Sequence, residues 1–110
     1  MPYDEELAER IRARLGGEPD VEEKRMFGGL AFLVGGHMAV AASGQGGLMV
    51  RVDPHEAAGL IGGPVAPMVM RGREMRGWLR VDAEAVATQP DLEAWIDRGA
   101  GYARSLPPKR

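Results

Sequence analysis

Residues 25–53 read RMFGGLAFLVGGHMAVAASGQGGLMVRVD. Three short apolar stretches are divided by glycine pairs, and the run stops at an Asp-Pro step, Asp53-Pro54. Apolar runs of this length bounded by Gly predict an antiparallel meander of strand, turn, strand, turn and strand. Leu30 to Val34 is apolar at every position, the mark of a central strand or one covered on both sides. Gly28-Gly29 fits a bulge within one strand or a turn between two. The bulge is preferred, because Met26, Leu30, Phe32 and Val34 would otherwise fall in very short pieces, and VEEKRMF then reads as a loop leading in. Gly35-Gly36 predicts a two-residue hairpin and His37 to Ala42 the second strand. Ser43 to Gly47 is a looser turn. Leu48 to Val52 is the third strand, with Leu48, Val50 and Val52 inward and Met49 and Arg51 outward.

Before the meander, Asp4 to Leu15 predicts a helix with Leu7, Ala8, Ile11 and Leu15 on one face. Acidic residues crowd its first turn and arginines its later turns, complementing the helix dipole, with Glu6–Arg10 as an i,i+4 pair. Gly16-Gly17 supplies a left-handed stop. After the meander, Asp53 caps a short helix that has Pro54 in its first position and runs to about Leu60. Val65–Met70 and Met75–Val81 read as a second hairpin around Arg71-Gly72-Arg73-Glu74, and Pro64 and Pro67 place its first strand at a sheet edge. The last helix opens at a capping-box-like pair, Thr88 and Asp91, with Pro90 in its first turn. Its stripe is Leu92, Trp95, Ile96, Gly99, Tyr102, Ala103 and Leu106. Pro107-Pro108 ends it and Lys109-Arg110 forms a frayed tail. The expectation is an α+β, two-layer α/β sandwich of α-β3-α-β2-α order, with a largely antiparallel five-stranded sheet packed against helices.

At 110 residues and 45% apolar, the chain is long enough for one domain with one core. The absence of Cys removes disulfides, thiol catalysis and Cys-based metal sites. A net charge of −2 opposes a surface that binds nucleic acid all over. The amino terminus is acidic and amphipathic, unlike a secretory signal, and no apolar run is long enough to cross a bilayer, so a cytoplasmic protein is expected. The seven Met residues fit an adaptable interior or a pliable contact surface.

RMFGG stands at 25–29, GHMAV at 36–40, LMVRVD at 48–53, GWLRV at 77–81 and YARSLPP at 102–108. In these pieces the chain resembles the amino-terminal domain of the TfoX/Sxy family over nearly its whole length. The resemblance implies the two-layer α-β3-α-β2-α domain. It further implies kinship with regulators of natural competence that work with a cyclic-AMP-responsive transcription factor and carry a second, carboxy-terminal domain. This chain reads as a stand-alone amino-terminal domain. The resemblance transfers no catalytic residues.

Chemistry-bearing residues are sparse. His37 borders a hairpin and reads as a surface imidazole. His55 follows a helix cap and has no second His or Cys at ligand spacing, so no metal and no cofactor is expected. Neither Ser43 nor Ser105 lies in a nucleophile elbow, and the glycine loops lack a phosphate-binding context, so no enzyme is expected. The distinctive group is Arg71, Arg73, Arg76, Trp78 and Arg80. Strand alternation puts Arg76, Trp78 and Arg80 on one face and Met75, Leu79 and Val81 on the other. Two placements follow. In one, an indole between guanidinium groups faces outward as a docking surface. In the other, Trp78 packs under another element and the arginines are solvated or paired with Glu74, Asp82 and Glu84. The first supports a protein-interaction module, with a homodimer among its forms. A nucleic-acid module on the same basic hairpin is the alternative. A third reading is a small-ligand pocket lined by Met between sheet and terminal helix.

Overall fold

The computed structural model describes residues 3–26 and 28–107. Phe27 of the first quoted motif, Pro108 and the tail at Lys109 and Arg110 lie outside the described residues. In chain order come α1 (Glu5–Leu15), β1 (Val21–Met26), β2 (Gly29–Val34), β3 (His37–Ala42), β4 (Leu48–Arg51) and α2 (Pro54–Leu60). Then follow β5 (Val65–Met70), β6 (Arg73–Val81), a single 3-10 turn (Ala83–Val86) and α3 (Gln89–Ser105). The strands form one sheet in the order β1-β2-β3-β4-β6-β5, every neighbouring pair antiparallel.

The sheet has six strands, not five. VEEKRM is itself a strand, paired with β2 from Val21↔Val34 to Met26↔Gly29. The chain reverses between Met26 and Gly29, so the glycine pair marks a turn and not a bulge. Gly28 has φ 75°, a conformation that costs a residue with a Cβ about 1–2 kcal/mol. A bulge-like shift does occur in the next pair, between Phe32 and Leu33 of β2 against β3.

Alternation along the strands splits the apolar residues into two layers. Leu30, Phe32, Val34, Val40, Leu48, Val50, Leu79 and Val81 face the helices and pack with Leu7, Ile11, Leu15, Leu92 and Ile96. Each such side chain contributes about 1.5–3 kcal/mol on full burial. The opposite face carries Ala31, Met38, Ala41, Met49 and Met68, with Met26, Leu33 and Trp78 packed against them. No helix residue belongs to this second cluster, yet Met38, Met49 and Met68 are all buried. Long, flexible thioether side chains lie over small alanines and close the open face of the sheet themselves. These three methionines are therefore buried on the sheet face away from the helices, not between the sheet and α3.

The helix ends follow the cap signals. Asp4 Oδ1 accepts from Leu7 N–H at 3.1 Å, Asp53 Oδ1 from His55 N–H at 2.9 Å, and Thr88 Oγ1 from Asp91 N–H at 3.4 Å. Gly16 closes α1 in extended geometry, and the left-handed residue is Gly17. Arg10 does not pair with Glu6. Its guanidinium donates to the carbonyls of Val86 and Ala87 at 3.0 and 3.2 Å, tying α1 to the entry of α3. Gly99 lets α3 lie directly on β3: a Cβ there would stand 2.5 Å from the Ala39 carbonyl oxygen.

Candidate functional site

The five residues singled out from the sequence separate into three kinds of position. Arg71 and Gly72 form the tip of the β5–β6 hairpin, both at positive φ (52° and 77°), the geometry of a two-residue turn matched to strand twist. Met70 pairs with Arg73 across it. Beyond the tip, β6 is longer than its inner neighbour, and β4 meets it only from Trp78 to Val81. Arg73, Glu74, Met75 and Arg76 are all exposed. Successive strand residues point to opposite faces, so four consecutive exposed residues mean that both faces of this ribbon are bare.

That corrects the expected alternation. Met75 is not inward but 37% exposed. The break is at Gly77, where φ is 82° and the carbonyl accepts from Val52 N–H at 2.8 Å. A Cβ at Gly77 would meet the Val52 carbonyl oxygen at 3.1 Å and Pro54 Cγ at 3.2 Å. Only glycine permits β6 to bend there over the start of α2.

Trp78 sits on the sheet face away from the helices, half-buried against the methionine cluster. It is neither a fully bare platform nor sealed under a helix. Arg51, its partner across the β4–β6 pair, places its guanidinium carbon 5.5 Å from the indole centroid and 5.7 Å from that of Tyr102. The cation thus bridges the sheet and α3 through two aromatic rings. The sequence reading missed this role for Arg51; the signal was its position opposite Trp78. Arg80 is committed elsewhere. It donates to Gln45 Oε1 at 3.1 Å, Gly46 O at 3.1 Å and Ser43 Oγ at 3.4 Å, fastening the β3–β4 turn. It is structural, while Arg71, Arg73 and Arg76 have no ion pair or side-chain hydrogen bond among the described residues.

The helix side contrasts with the ribbon. Arg12 makes a bidentate contact with Glu23, at 2.6 and 2.7 Å, and a further one with Glu9. Its hydrogen bonds hold the Glu23 carboxyl below its ordinary range. Arg104 does the same for Asp20 at 3.2 Å. Arg14 pairs with Asp97 at 2.6 Å, and Arg98 with Glu56 at 3.8 Å. A cleft of about 360 Å³ between α1 and α3 is lined by Arg14, Leu15, Glu18, Asp97, Gly101 and Arg104. Both of its arginines are already neutralised by carboxylates, so it offers no free charge to a ligand. His37 Nε2 donates to the Pro107 carbonyl at 2.6 Å, holding the chain after α3 against the β2–β3 hairpin. Among the described residues no group of three or more His, Asp or Glu is placed to hold a metal ion, and no helix is long and apolar enough to cross a membrane.

No protein of curated function and no solved structure matches the chain. The family model of the TfoX N-terminal domain matches residues 13–103. That span runs from the second half of α1 to the last turns of α3, and so takes in the whole sheet, the ribbon and the Arg51–Trp78–Tyr102 stack. The chain therefore belongs to the TfoX N-terminal domain family.

Proposed function

We propose that this chain is a non-enzymatic regulatory module that engages a protein partner through the β5–β6 ribbon, in the service of transcription or competence regulation. The observation that carries the reading is the segregation of charge. The arginines of α1 and α3 are bound to carboxylates or main-chain carbonyls, whereas Arg71, Arg73 and Arg76 have no such partner among the described residues and stand on a ribbon with two bare faces. Free guanidinium groups beside exposed apolar side chains, here Val69 and Met75, are the composition of an interaction surface. Membership of the TfoX N-terminal domain family supports a regulatory, competence-type role. The apolar residues favour a protein over a polyanion, for which they would be idle.

Affinity capture with the parent chain and with Arg71→Ala/Arg73→Ala/Arg76→Ala tests the reading. The triple variant loses the partners that the parent retains. Fluorescence anisotropy with duplex DNA and RNA at low salt tests the nucleic-acid alternative. Tight binding that weakens with salt and with the same three substitutions would replace the protein reading with that one.

A further inference from the structure

The large apolar side chains that stand exposed among the described residues are Ile61, Val69 and Met75. All three fall on one stretch of chain, the outer edge of the sheet at β5 and its ribbon. The opposite edge is built differently. β1 presents Glu22, Glu23, Lys24 and Arg25, all exposed, and such charges repel a stray strand. β5, VAPMVM, carries no charge.

Charge is divided along this edge. Arg71 and Arg73 lie at the end of β5, Arg73 opposite Met70, and with Arg76 they outnumber the one carboxylate there, Glu74, which is opposite Val69. At its start lies Asp82, whose N–H donates to the Pro64 carbonyl at 2.9 Å, followed by Glu84 in the 3-10 turn. Asp82 and Glu84 are exposed and without an ion pair among the described residues, and Asp82 makes no capping bond. Ile61 adjoins Gly62, which is bridged to Val65 at this same end. A strand of this length spans roughly 20 Å. The edge is thus basic and apolar at one end, acidic and apolar at the other.

We propose that this edge docks a second copy of the chain, inverted about a two-fold axis through the middle of β5. Arg73 of each copy then faces Asp82 of the other, and Val69 meets Ile61. An edge with opposite charges at its two ends complements itself only when inverted, which is the arrangement of a closed isologous dimer. The proposal rests on the ribbon being an interaction element and names its partner. Side chains carry the contact, because Val65 N–H and C=O both bond Gly62, at 3.0 and 2.9 Å, and Pro67 has no N–H to offer an added strand. An interface of this kind is small, weak and sensitive to salt.

Sedimentation equilibrium at about 0.5 mM chain and low salt tests it, since that concentration populates even a millimolar-class dimer. The parent chain shows a mass between monomer and dimer that falls toward monomer at high salt. Arg73→Glu alone and Asp82→Arg alone are each monomeric, because each sets like charges against one another twice per dimer. Mixed in equal amounts, the two variants form a heterodimer in which both contacts are restored. A parent chain that is monomeric throughout, variants that associate like the parent, or a mixture that stays monomeric would each overturn the dimer. If the parent is monomeric while Arg73→Glu still abolishes partner capture, the dimer fails and the reading of the ribbon stands.

Discussion

Arg51 lies opposite Trp78 across the β4–β6 pair, with its guanidinium carbon 5.5 Å from the indole centroid and 5.7 Å from the ring of Tyr102. One cation therefore joins the sheet to the carboxy-terminal half of α3. Each half-buried contact of this kind contributes about 0.5–1 kcal/mol. Arg51→Ala is expected to lower stability by about 1–2 kcal/mol, a drop in Tm of several degrees for a domain of this size. In a Trp95→Phe background, the fluorescence of the remaining indole reports the lost cation as a shift in emission. Unchanged Tm and unchanged emission would remove the clamp.

Two glycines of α3, two residues apart, are expected to respond in opposite directions. A Cβ at Gly99 would stand 2.5 Å from the Ala39 carbonyl oxygen, and α3 would have to lift from β3. Gly99→Ala should cost about 1–3 kcal/mol. Gly101 is exposed and has nothing within 4 Å of a built Cβ. Gly101→Ala should stabilise by about 0.5–1 kcal/mol through helix propensity and a less flexible unfolded chain. Urea denaturation of the two variants beside the parent decides the signs.

Arg80 and Arg76 are four residues apart on β6 and should separate stability from binding. Arg80→Ala releases the β3–β4 turn and is expected to cost about 1–2 kcal/mol. Arg76→Ala touches nothing fixed among the described residues and should leave Tm within about half a kcal/mol of the parent. Thermal unfolding shows the first difference and partner capture the second.

The ion pairs of the helix side set an acid dependence. Hydrogen bonding and charge from Arg12 lower the Glu23 carboxyl below its ordinary 4.5, and Arg104 lowers Asp20 below 3.8. A carboxyl depressed in the folded state stabilises the fold above its unfolded value and loses that contribution as pH falls through the folded one. The contribution of these two pairs should therefore be level above pH 4.5 and decline below it as the Glu23 and Asp20 carboxyls take up protons. Both groups are exposed, so added salt should shrink the decline. Tm followed from neutral pH into acid, for the parent and for Arg12→Ala, gives the check: the variant should lose less on acidification.

The parts of the fold that the sequence revealed are those with a strong local cause. The caps at Asp53 and Thr88 and the stripes of α1 and α3 mark the helices, because a side-chain oxygen before an apolar period has few other uses, whereas Asp4, read as part of the first turn of α1, is its cap. β1 escaped notice because VEEKRM has no buried face. An edge strand needs main-chain pairing but little burial, so periodicity is silent there. The inward placing of Met75 failed because one residue, Gly77 at φ 82°, breaks the alternation that Leu79 and Val81 obey. Within the candidate site, Arg71, Arg73 and Arg76 were legible as an exposed basic hairpin. The capture of Arg80 by the β3–β4 turn and the stacking of Arg51 were not, since both depend on neighbours distant in sequence.

The central claim is that the free arginines of the ribbon recognise a partner. Its most direct test is quantitative capture by the parent, by Arg71→Ala/Arg73→Ala/Arg76→Ala, and by Arg12→Ala as a control whose arginine is already held by Glu9 and Glu23. The expected result is loss of the captured partner by the triple variant at unchanged Tm, with recovery by the control equal to the parent. Equal recovery by the triple variant and the parent would contradict the claim.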